Sequence, residues 1–161
     1  MVEVFGIPII AGTKFMDKIG SKKLNHVASV MAELLDQDGD GCADDPNVLR
    51  NILIKSDNIK TAMVLGNSET VGVTTAAQNA MRKKGFVQGQ NLFFPEVKPK
   101  CSGLNFTTTC SDSSIEEQFH FITTYGYKPA YSKIFSTTWK SPSKLTKAMD
   151  IARYFFGFNF P

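Results

Sequence analysis

The chain has 161 residues, 42% hydrophobic and 20% charged, which suits one ordinary-sized domain with its own core and excludes a disordered polypeptide. The net charge of +3 is small, and the basic residues form no long run, which excludes the clustered footprint of a nucleic-acid binder. The apolar stretches fall far short of a membrane span.

Residues 1–10 lack the basic start and small-residue cleavage site of a signal peptide. The expectation is a cytosolic chain, or one from which a leader has been removed. Residues 2–10 are apolar and β-branched with Pro8 near the end, and read as an edge strand or an extended lead-in. Residues 21–35 carry Leu24, Val27, Ala28, Met31, Leu34 and Leu35 at helical spacing, with Ser21 placed to cap them. An acidic run follows, and Pro46 opens a second helix with Val48, Leu49, Ile52 and Leu53 on its inner face. Residues 61–65 read as a buried strand ended by Gly66-Asn67. Residues 74–84 read as a helix stopped by Gly85. Residues 91–97 read as a strand, 101–113 as loop or strand, and 114–124 as a helix stopped by Gly126. Ser141-Pro142 opens a last helix running to about Phe156. The sum is a single α+β domain over 1–161, with a small sheet and four or five helices. Within it, 20–56 forms a helix–calcium loop–helix unit.

The acidic run is Asp36-Gln37-Asp38-Gly39-Asp40-Gly41-Cys42-Ala43-Asp44-Asp45, five aspartates in ten residues. Calcium is a hard cation that takes about six to eight oxygen ligands. Carboxylates at alternating positions on a tightly curled backbone can all turn inward. Asp36, Asp38 and Asp40 are so spaced, Gly41 permits the turn, and Cys42 can offer its carbonyl oxygen. Asp44 or Asp45 completes the shell directly or through water. An acidic Asp-Gly turn with no ion is the plain alternative, but it leaves five mutually repelling charges unexplained. Over Asp36 to Asp44 the loop resembles an EF-hand. It departs at the twelfth position, where Asn47 stands in place of a bidentate glutamate, and at Pro46 beside it. The spacing is closer to the shorter loops of dockerins and thrombospondin repeats. That resemblance implies a structural calcium site rather than a calcium switch.

The second pattern is Glu116-Glu117-Gln118-Phe119-His120. On a helix Ile115, Phe119 and Ile122 share one face, with Glu116 and His120 on the opposite side. Glu116 and His120 are four apart and so are neighbours that can hold one metal. The pattern resembles the zincin metallopeptidases, whose helix carries His-Glu-x-x-His. Glu116 stands where the first histidine would be, Glu117 at the general base and His120 at the second histidine. The resemblance implies a water activated by zinc or another divalent metal, with Glu117 as catalytic base. Glutamate at the first position shifts preference from zinc toward harder cations. A third ligand is required, and Asp112, His26, Asp150 and the tyrosines are candidates. The pairing of this helix with the acidic loop and a later Gly126-Tyr127 and Ala130-Tyr131 segment also resembles uncharacterised secreted proteins. An ordinary Glu–His contact on a polar helix face is the competing reading.

Cys101 and Cys110, nine apart, can close a small disulfide in an oxidising compartment, leaving Cys42 over. Asn105-Phe106-Thr107 is a glycosylation sequon in the same stretch. With the calcium loop these features point to an extracellular origin. Two functions follow as expectations. One is a calcium-stabilised domain resembling a degenerate zincin, acting on peptide. The other is a non-catalytic calcium-binding module contacting a matrix protein or mineral, with Trp139 or the C-terminal phenylalanines as its contact surface.

Overall fold

Phe5 and Gly6 both adopt left-handed backbone, with φ of +49° and +81°. Positive φ at both central residues gives the two-residue turn whose twist matches paired strands. It folds the N-terminal apolar run into a hairpin of β1 (Val2–Val4) and β2 (Ile7–Ala11), where the sequence suggested one extended segment. The computed structural model describes residues 1–54, 59–69, 72–101, 110–136 and 143–156, the last five by backbone alone. The sequon, Trp139, Ser141-Pro142 and residues 157–161 lie outside the described residues.

The fold is a single α+β domain with a four-stranded mixed sheet in the order β1-β2-β3-β4. β3 (Lys60–Gly66) runs parallel to β2 and to β4 (Phe86–Phe93). Pro8 sits inside the sheet rather than at an edge. It pairs with Glu3 of β1, and the ladder to β3 starts only at Ile9, so the missing N–H costs no bond on that side. β3 is central and buried on both faces from Thr61 to Gly66, which is why it reads as a continuous apolar run. β4 starts five residues before the expected strand and ends at Phe93. Its polar stretch Gln88-Gly89-Gln90-Asn91 hides a half-buried edge strand.

Among the described residues there are five helices: α1 (Lys18–Leu35), α2 (Pro46–Leu53), α3 (Thr75–Lys83), α4 (Ser114–Ile122) and α5 (Lys144–Phe156). Ser21 does not cap α1. Asp17 does, accepting from the Ile19 and Gly20 amides, and the helix begins one turn early. The α2 and α3 starts match expectation, with Asp45 and Thr74 as caps. Gly126 does not stop α4. The chain continues through a wider π-type turn (Thr123–Tyr127) into Lys128–Ala130. Gly126 is buried there, and a Cβ on it would stand 2.6 Å from Val48 Cγ1. The glycine serves a close helix–helix approach.

The main core fills the sheet face carrying Ile7, Ile9, Met63, Leu65 and Leu92, covered by Val27 and Met31 of α1, Val48 and Ile52 of α2, and Phe121 and Ile122 of α4. A smaller cluster of Ala62, Val64 and Met81 seats α3 on the opposite face. The two parallel crossovers therefore pass over opposite faces while the strands advance in one direction. They have opposite hands, so one is left-handed, an uncommon connection.

Candidate metal centre

The acidic loop grows directly out of the end of α1. The Asp36 amide closes the last helical turn onto Ala32 O, and the Asp36 carboxylate then organises the loop. Its Oδ1 accepts from the Gly39 amide at 2.9 Å and the Asp40 amide at 3.1 Å, and its Oδ2 accepts from Gly41 at 2.9 Å. Asp38 Oδ1 accepts from Asp40 N at 3.2 Å, and Asp40 Oδ1 from Cys42 N at 2.7 Å. Gly39 and Gly41 take φ of +71° and +86°, so both permit the curl, where the sequence singled out only Gly41. The Asp44 amide bonds back to Leu35 O at 2.8 Å and shuts the loop. One carboxylate oxygen each from Asp36, Asp38 and Asp40 comes within 4.8 Å of the others. Asp38 and Asp40 are exposed and Asp36 is half-buried.

The remaining predicted ligands are placed differently. Asp44 Oδ2 accepts from the Gln37 amide at 2.9 Å, across the loop mouth. Cys42 is exposed with a free thiol. Asp45 is engaged elsewhere. Its Oδ1 caps α2 through the Asn47 and Val48 amides, and its Oδ2 accepts from the Tyr131 hydroxyl at 2.8 Å. The geometry thus makes Asp45 a helix cap and a tether to the segment after α4. Tyr127 belongs to the same corner. Burial, then the charges of Asp45 and Asp44, push its hydroxyl above the ordinary tyrosine range.

Glu116 and His120 lie on one side of α4, Oε1 to Nε2 3.8 Å apart. Their side chains are 70% and 61% exposed, so the pair stands on an open surface. Glu116 and Glu117 also fall in the first turn, where negative charge suits the helix dipole. Glu117 turns toward the sheet and accepts from Gln90 Nε2. Nearby Glu96 has its carboxyl pushed up by burial and by the charges of Glu69 and Glu117, against the opposing hydrogen bond from Phe93 N. The buried face of α4 is not the expected one. Ser114, Gln118, Phe121 and Ile122 are inside, while Ile115 and Phe119 are 45% and 54% exposed.

Asp112 and His26, two candidate third ligands, hold each other instead. His26 Nε2 and Asp112 Oδ2 are 2.6 Å apart, with the Asp112 side chain 1% exposed. Asp112 Oδ1 accepts from Lys98 N, Ser114 N and Ser114 Oγ. Burial alone would raise this carboxyl, but the hydrogen bonds from Lys98, His26 and Ser114 outweigh it and hold it below its ordinary value. With the partners 86 positions apart in the chain, no local sequence signal marks the pair. Tyr125 and Tyr131 use their hydroxyls on Gly89 O and Asp45, and both rings pack against the core. Cys101 and Cys110 are bridged. Comparison with protein-family models, with curated proteins and with solved structures finds no match.

Proposed function

We propose that the protein is a calcium-stabilised extracellular domain in which the Asp36–Asp40 loop clamps α1 to α2, serving a non-catalytic role in contact with peptide, matrix protein or mineral. The observation that carries this reading is the convergence of Asp36, Asp38 and Asp40 oxygens within 4.8 Å on a loop already curled by its own hydrogen bonds. Three like charges so close repel one another, and a divalent cation relieves that repulsion. Hard oxygen donors favour calcium over zinc. The Cys101–Cys110 disulfide supports an oxidising compartment. The test is calcium titration by calorimetry with elemental analysis of the full chain. One calcium per chain, lost on Asp38→Asn with Asp40→Asn, is the expected result. Absence of binding at millimolar calcium would overturn the reading.

A second reading keeps α4 as a zincin-like metal element, with Glu116 and His120 as ligands and Glu117 as base. It is favoured by the 3.8 Å approach of the pair, which one ion can bridge. It predicts stoichiometric zinc or manganese that is released by His120→Ala while the calcium remains. A protein that takes up calcium alone discards it.

A further inference from the structure

A groove of about 590 Å³ lies between the first turns of α1 and the segment from Val97 to Cys101, on a different part of the surface from the acidic loop. Lys18, Lys22, Lys23, Lys98 and Lys100 line it. No acidic residue is among its described lining, and none of the five lysines has a carboxylate within 4 Å among the described residues. The neighbouring acids are engaged elsewhere. Asp17 faces the α1 amides, and Asp112 holds His26, Lys98 N and Ser114. A chain of net charge +3 thus concentrates five lysines around one cavity, four of them without a carboxylate or hydrogen-bond partner among the described residues.

The floor is of the opposite character. Val97 is fully buried, Cys101 is 7% exposed and belongs to the disulfide, and Ile19 stands at the edge 65% exposed. Lys23 is fixed at the inner end, its Nζ donating to Phe94 O at 2.7 Å and lying 4.0 Å from the Phe94 ring centre. Lysine stems extend apolar surface while their ammonium groups stay at the rim. The volume falls in the range of small-molecule sites, which are mostly apolar with a few polar groups that orient the ligand. An apolar floor under a cationic rim complements a molecule with a hydrocarbon body and one anionic end. Among the described residues no aromatic side chain lines the groove to stack a nucleobase.

We propose that this groove binds a small anionic amphiphile of the fatty-acid class, its chain on Ile19, Pro99 and the lysine stems and its carboxylate among Lys18, Lys22, Lys98 and Lys100. The inference does not depend on the metal loop. The probe is 11-(dansylamino)undecanoate, followed by fluorescence on the full disulfide-bonded chain, beside its methyl ester. The acid is expected to bind at least about tenfold more tightly than the ester. The double variant Lys22→Gln, Lys98→Gln changes two exposed side chains and should weaken the acid by about tenfold while leaving the ester unchanged. Ile19→Asn should weaken both probes alike. Circular dichroism of the variants separates loss of the site from loss of the fold. Equal binding of acid and ester overturns the proposal. So does full binding by the double variant, or displacement of the probe by inorganic phosphate as effective as by decanoate.

Discussion

Asp36 illustrates how one side chain can have two separable roles. Its carboxylate accepts three backbone amides of the loop and also supplies one of the three converging oxygens. Asp38 takes only one amide, that of Asp40. Asp36→Ala should therefore remove calcium binding and also destabilise the metal-free protein by about 1–2 kcal/mol, the cost typical of a lost capping carboxylate. Asp38→Asn should remove calcium affinity with little effect on metal-free stability. Urea unfolding with and without chelator distinguishes the two. If both variants unfold alike without calcium, the organising role of Asp36 is refuted. Gln118 gives a second prediction at this scale. Its side chain is fully buried and both amide atoms lack a hydrogen-bond partner among the described residues. Desolvating such a group without a bond costs about 1–3 kcal/mol, so Gln118→Met, similar in length, should raise stability by up to about that amount. A destabilised variant would mean that the amide is satisfied in solution.

At the scale of elements, the buried Asp112 carboxylate joins α1 through His26, the segment after β4 through Lys98, and the start of α4 through Ser114. Its folded-state pKa lies below the ordinary 3.8. A depressed carboxyl contributes stability that is complete above its unfolded value and is lost as pH falls through its folded value. Asp112→Asn should cost about 1–3 kcal/mol at neutral pH and flatten the decline in stability as pH falls below the ordinary carboxyl value of 3.8. An unchanged acid limb would show that other carboxylates govern it. This tie also marks the boundary of what sequence reading could reach. α2, α3 and β3 were legible because their signals are local: a proline or threonine at the start, apolar spacing, a stopping glycine. The α4 face is not legible because Ile115 and Phe119 are apolar yet exposed, while the polar Ser114 and Gln118 face inward. Helix existence followed from periodicity, but orientation depended on distant partners. The N-terminal hairpin was hidden because its turn uses Phe5, a residue that rarely takes positive φ. In the acidic loop the three converging aspartates were legible from alternation. The role of Asp45 was not, because its second partner, Tyr131, is 86 residues away.

For the whole molecule, the position of the loop decides how far a bound ion would be felt. It connects the two helices that cross from β2 to β3, and both contribute to the main core. Asp45 extends the connection to the segment after α4 through Tyr131, where Gly126 packs on Val48 and Ile52. An ion that fixes the loop therefore stabilises the cooperative unit rather than a local turn. Binding to the folded state alone adds about 2.7 kcal/mol when calcium is a hundredfold above its Kd. For a chain of 161 residues that corresponds to a rise in Tm of about 5–10 °C. The rise should disappear with chelator and in the Asp38→Asn, Asp40→Asn double variant. Tyr131→Phe removes the tether but none of the converging oxygens. It should leave calcium affinity within about twofold of the parent while narrowing the calcium-dependent protection of residues 123–130 against amide exchange. Loop protection with no change in that segment would confine the clamp to α1 and α2. No calcium-dependent shift in Tm at saturation would remove the clamp altogether.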